Sequence, residues 1–214
     1  MIDGNARLTT ANNGGIVIGD SGTLPNGTPF DSTFQSSSVT LQTDGTGNVR
    51  FEEDGNIFLV GNNRANSVTL VANSGNGTIT DNASAQIDVA RNLDLSGSFV
   101  NLGTGTVNGT NTDRLALSSL TFSSSGNVNL SADTSFFLTG DSQSDGFLSL
   151  ASTGSIRTAG ESETVARTGA RFDGIDVMIG NLADDCFDII NSNANGSVNL
   201  TVNASGSEDV TLGC

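Results

Sequence analysis

A short pattern recurs along this chain: an aliphatic or β-branched residue, a polar one, a second apolar one, then Gly, Asn, Ser or Asp. It is plain in SVTLQ (38–42), NVRFE (48–52), NIFLV (56–60), SVTLV (67–71), GTITD (77–81), QIDVA (86–90), NVNLS (127–131), FLSLA (147–151), SVNLT (197–201) and DVTLG (209–213). Alternation with period two marks a strand with one buried face. The pattern predicts many such strands, each only a few residues long.

Their spacing constrains the fold further. One series of apolar positions, Val49, Val68, Ile87, Val107, Val128 and Leu148, advances by 19 to 21 residues at each step. A second, interleaved series, Val39, Ile57, Ile79, Phe99, Leu120, Leu138 and Ile156, advances by 18 to 22. Self-similarity at a fixed period of this size identifies a solenoid. No helical stretch separates the strands, and they are shorter than those that pair through hairpins in a β-sandwich. The fold class read from the sequence is therefore all-β: a parallel β-helix (β-solenoid) with roughly 20-residue coils.

The composition has a physical reason in such a fold. Coils stack at about 4.8 Å, so equivalent side chains sit directly above one another. Aliphatic residues then form ladders inside, whereas like charges at equivalent outer positions repel, which favours Asn, Ser and Thr there. Only 14% of the residues are charged, and 27 are Gly. Gly and Asn supply the left-handed backbone that tight corners need. The net charge of -15 disfavours nucleic acid and anionic membrane surfaces, since these need clustered Lys and Arg. All eight basic residues are arginine, scattered along the chain. No apolar run approaches the roughly 18 residues of a spanning helix, so membrane insertion is not expected.

Two segments, GNVNLSADTSFFLTG (126–140) and NASAQIDVARNLDLSGSFVNLGTG (82–105), resemble the repeats of filamentous-haemagglutinin-type adhesins and related secreted β-helical surface proteins of bacteria. The resemblance covers residues 35–157. It implies a right-handed β-helix at the bacterial cell surface, acting in adhesion or as a structural stalk. Self-association or a host or cell-surface ligand would be its partner interaction, and no catalytic residue or cofactor comes with it.

Between Arg157 and Asp188 the texture changes: ten of 32 residues are charged. That change divides the chain into solenoid coils (1–156), a charged excursion, cap or subunit contact (157–190) and terminal solenoid strands (191–214). A cap would give the solenoid a polar end, as repeat proteins need for solubility. A subunit contact would set Arg167 and Arg171, with Asp184 and Asp185, against a neighbouring copy. The cysteines, Cys186 and Cys214, are candidates for a disulfide that closes the end of the chain; free thiols and a link between subunits stay open.

Few residues promise chemistry. GDSG (19–22) matches the string around a protease nucleophile, but the chain has no His to act as base and no Lys to replace it, so a turn is expected. DSQSDG (141–146) and DGTGN (44–48) set Asp near Gly in turns, a weak suggestion of calcium that fits no established loop spacing. No catalytic, cofactor or metal residue is expected. A β-helical polysaccharide lyase or hydrolase is the enzymatic alternative, although no Trp or Tyr is present to stack on sugars. An ice-binding or phage-fibre-type solenoid is a further one. The main expectation is an extracellular structural protein, either a surface adhesin segment or a filament or sheath subunit.

Overall fold

The computed structural model describes residues 2–19, 22–23, 29–30, 34–44, 46–107, 110–111, 113–180, 186–189, 199–205 and 211–212. Among them, 22 strands join one continuous sheet, and every strand pair within it is parallel. Among the described residues two small hairpins, Gly22–Thr23 with Pro29–Phe30 and Thr106–Val107 with Thr110–Asn111, pair antiparallel. The molecule is a parallel β-helix.

Nine levels stack along one side, here face A: Ile2–Thr9, Ser36–Gln42, Ile57–Leu59, Thr78–Asp81, Phe99–Leu102, Val128–Ala132, Phe147–Ser152, Gly169–Gly174 and Asn199–Ala204. From face A each upper coil turns onto face B, made by the ends of the first two strands and by 62–65, 86–89 and 114–117. It then turns onto face C, made by 16–18, 49–53, 68–72, 93–97 and 119–124. Side chains alternate along each strand, so Val49 and Phe51, Val68 and Leu70, Leu93 and Leu95, and Leu120 and Phe122 form two apolar ladders inside face C. Burying each such side chain contributes roughly 1.5–3 kcal/mol. Corners close on Gly in the left-handed region, as at Gly140 (φ 64°) and Gly160 (φ 73°), one level apart, where a side chain would be strained.

The expected series were part right. Val49 stacks on Val68, Ile57 on Ile79, Val128 on Leu148 and Leu120 on Leu138. Val68, however, stacks on Leu93, because Ile87 belongs to face B. Ile79 stacks on Val100, with Phe99 opposite Thr78. Ile156 stacks on Phe136, and Val107 leaves the coil altogether in the second hairpin. Coil length is also uneven: Val128 to Leu148 is 20 residues, but Ile16 to Val49 is 33 and Val100 to Val128 is 28. Each long coil carries one of the two hairpins.

The charged stretch 157–190 makes no excursion where it is described. Ile156–Thr158, Glu163–Ala166, Gly169–Gly174 and Val177–Ile179 continue the same sheet, and Cys186–Ile189 pairs in register with Glu163–Ala166. Its charges occupy outward positions, Arg157 between buried Ile156 and Thr158, and Arg171 and Asp173 on either side of buried Phe172.

The cross-section changes at the sixth level. The strand Arg114–Ser124, which runs across faces B and C, is followed below by two short strands, Phe136–Leu138 under residues 119–120 and Ser142–Ser144 under 123–124. Among the described residues nothing stacks as a strand beneath residues 114–117, so face B stops there. Its last edge is closed by side chains. Asp133 accepts the Leu115 N–H on Oδ2 (3.0 Å) and donates its own N–H to the Leu115 carbonyl. The Thr134 hydroxyl accepts the Leu117 N–H (3.0 Å) and donates to the Leu117 carbonyl (2.8 Å). Two residues thus stand in for a strand, and an edge that could template aggregation is blocked.

Candidate interaction surface

The step where face B stops creates a ledge, and a groove of about 420 Å³ lies along it. Small residues, Ala65, Ala90 and Ala116, leave space in its wall, while Arg64, Asp88 and Arg114 frame it. Register places these charges: Arg64 stands beside Asp88, and Arg114 lies one level below and reaches back to Asp88 (Nη2 to Oδ1, 3.1 Å). Arg91, one residue past Ala90, is held by its N–H to the Asn66 carbonyl (2.7 Å) and is exposed. Higher on the same side, Arg7 donates to Gln42 (3.1 Å). Four of the eight arginines thus share one flank of an acidic molecule.

The remaining arginines are paired within the chain: Arg50 with Glu52 (3.5 Å), Arg157 with Asp176 (3.5 Å), Arg167 with Asp145 (2.5 Å) and Arg171 with Asp173 (2.6 Å). Among the described residues, Arg64 and Arg91 have no carboxylate partner. The contact expected at Arg167 and Arg171 therefore involves guanidinium groups that already bind carboxylates of their own subunit. Asp184 and Asp185 lie outside the described residues, as do Cys214, Asp20 and Ser21. For Cys186 the structure gives the backbone, opposite Glu163.

Carboxylates are distributed unevenly too. Asp145 is held below the usual carboxylate range by hydrogen bonds from Gln143 and Arg167. Burial works against Asp173, but Arg171 and Asn203 outweigh it and hold that carboxyl low. Asp44 is lowered by the Asn13 N–H, then by Thr46. Asp44 and Asp145, one from each calcium-suggestive turn, thus bind protein donors, and among the described residues no three metal-ligating side chains gather.

Three other carboxylates each hold a separate backbone N–H near the base of the second hairpin. Asp81 accepts the Gly103 N–H (3.0 Å), Asp113 the Gly105 N–H (2.6 Å) and Asp133 the Leu115 N–H. They fasten both ends of the insertion to the coil. Burial, opposed by the Gly103 hydrogen bond and reinforced by the charge of Asp113, pushes Asp81 up to about 6. Asp113 is also raised by burial, and its Oδ1 is buried without a partner among the described residues.

A second feature lies on the lower coils. Ser142 is in register with Thr164, which sets Asp141 directly above Glu163 on adjacent levels. Asp141, Glu161 and Glu163 are all exposed. Among the described residues none of the three has a cationic partner. Like charges stacked at adjacent rungs repel.

Comparison with protein-family models, with curated proteins and with solved structures finds no match. Fold and surface define the class: a parallel β-helix protein whose outer ladders are small and polar, with cations gathered on one upper flank and unpaired carboxylates on the lower coils.

Proposed function

We propose that this protein is an extracellular structural rod of the bacterial surface, serving as an adhesin segment or as the subunit of a filament or sheath. The observation that carries the reading is the continuity of the sheet: backbone hydrogen bonds run along the axis through all nine levels. Side chains tie the levels together as well. Asn66 donates to Asn48 (3.0 Å), Thr121 to the Thr139 carbonyl (2.8 Å), and Ser119 to Asn92 (2.9 Å). At about 4.8 Å per level, nine levels give a stiff body about 40 Å long. The likeness of the repeats to those of filamentous-haemagglutinin-type proteins supports a surface location.

Cryo-electron microscopy of the purified protein at several concentrations tests this. Filaments with an axial rung spacing near 4.8 Å support a building block. Isolated rods at every concentration support the adhesin segment and direct attention to the side faces. Turnover of a polysaccharide by the pure protein would sink the structural reading.

A further inference from the structure

Two features of this molecule are unexplained within one chain, and they are of opposite sign. Arg64 and Arg91 are exposed guanidinium groups without a carboxylate partner among the described residues, one on the third level and one on the fourth. Asp141 and Glu163 are exposed carboxylates without a cation among the described residues, one on the sixth level and one on the seventh. Each pair spans adjacent levels, so both have the same axial separation of about 4.8 Å. Three levels separate them, about 14 Å, and the arginines flank face B whereas the acids head strands that continue face C. They cannot meet in one subunit.

We propose that they meet between subunits: the Arg64–Arg91 flank of one rod receives Asp141 and Glu163 of a parallel second copy displaced by three levels. This rests on the reading of the protein as a self-associating rod and assigns its lateral contact. The displacement brings Arg64 to the level of Asp141 and Arg91 to the level of Glu163, because each pair spans one rung. The groove beside Arg64, walled by alanines, gives the incoming carboxylates room, and Glu161 adds to the acidic side. The contact is heterologous, since each copy uses one surface to give and a different one to receive, so it does not close in a pair and extends into an open array. A net charge of -15 sets copies against one another at long range. At physiological salt the Debye length of about 8 Å screens that repulsion while leaving direct ion pairs in place.

Sedimentation velocity at 150 mM NaCl tests the contact with two double variants, Arg64→Glu with Arg91→Glu, and Asp141→Arg with Glu163→Arg. All four residues are exposed, and far-UV circular dichroism with the thermal midpoint verifies that each variant folds as the parent does. The parent is expected to assemble with rising concentration and each variant alone to stay monomeric. An equimolar mixture of the two is expected to recover assembly, because the acidic surface of the first variant meets arginines on the second. Electron micrographs should show neighbours staggered by about 14 Å. Parent assembly that persists unchanged in both variants overturns this contact and leaves the rod reading standing. A parent that stays monomeric at all concentrations removes self-association itself, and the contact with it.

Discussion

The upper coils and the lower coils belong to one continuous parallel sheet, but they are filled differently. Above the ledge, all three faces line the interior with aliphatic and phenylalanine side chains, among them Leu41, Ile87, Leu95, Leu115 and Phe122. Below it, the side under residues 123–124 turns Ser142, Ser144 and Thr164 inward, each almost fully buried, with Ala166 as the apolar member. Ser144 donates to the Gly126 carbonyl (2.9 Å), and Ser142 accepts the Phe122 N–H (3.3 Å). The same fold is thus stabilised mostly by apolar burial in one half and partly by internal hydrogen bonds in the other. Apolar burial is the larger quantity per residue, so the halves should respond unequally to substitution.

The largest effect should come from truncating an upper ladder. Leu95 is fully buried between Leu70 and Phe122 on the neighbouring levels. Leu95→Ala leaves a cavity that rigid strands on both sides cannot collapse into, and urea unfolding should show a loss of about 3–4 kcal/mol. Ser144→Ala on the lower side removes one hydroxyl and its hydrogen bond, and should lose only about 1 kcal/mol. Equal losses at the two sites would end the distinction between the halves.

The ledge between the halves comes next. Thr134→Val keeps the shape of the side chain but leaves the N–H and C=O of Leu117 unpaired, at a cost of about 1–2 kcal/mol. It also reopens a strand edge. Light scattering during unfolding should therefore rise at lower temperature in this variant than in Ser144→Ala, although their stabilities are similar.

How much of this was legible in the sequence follows from which interactions are local. Alternation of apolar and polar residues is local, and it located the strands and their spacing, including Val49 above Val68 and Val128 above Leu148. Even the charged stretch carried the signal, since Arg157, Arg171 and Asp173 sit at the outward places of that alternation. Density of charge marks no break in the strands there, because the two-residue period runs on through it. Ile87 was misassigned because faces B and C both present apolar residues within one coil, and a single series cannot tell them apart. Val107 lies in an insertion whose turn residues, NGTNTD (108–113), could have marked it. The cationic flank had no local signal: Arg64 and Arg114 are 50 residues apart, and only the register of the coils sets them around Asp88. Unequal insertions fix that register, and no periodicity reveals it.

The corner carboxylates sharpen the comparison by pH. Asp81 has a folded value of about 6 against an ordinary 3.8, so the folded state binds the extra proton between these values. Its contribution is fully present below about pH 4 and is lost as pH rises through 6. The parent should thus be more stable at pH 5 than at pH 7.5. Asp81→Asn keeps an acceptor for the Gly103 N–H without the charge. It should raise stability at pH 7.5 by about 1–2 kcal/mol, allowing for partial exposure, and change little at pH 4.5. Part of the pH dependence should remain, because burial also raises Glu53, Asp94 and Asp113. A variant that gains equally at both pH values would show that the charge of Asp81 is not the cause.

The smallest effect concerns the polar interior itself. Ser144 and Ser142 are satisfied, but the Thr164 hydroxyl is fully buried and has no partner among the described residues. A hydroxyl removed from water without a hydrogen bond costs about 1–3 kcal/mol. Thr164→Val preserves volume and branching, fits the ladder below Ser142, and removes that cost. It should stabilise the protein by about 1 kcal/mol, against the loss expected for Ser144→Ala in the same side of the same coils. Opposite signs at two buried hydroxyls would establish that hydrogen-bond satisfaction, more than polarity, decides what the lower interior tolerates. A loss on Thr164→Val would mean that the hydroxyl has found a bound water, and that this side of the solenoid is hydrated within.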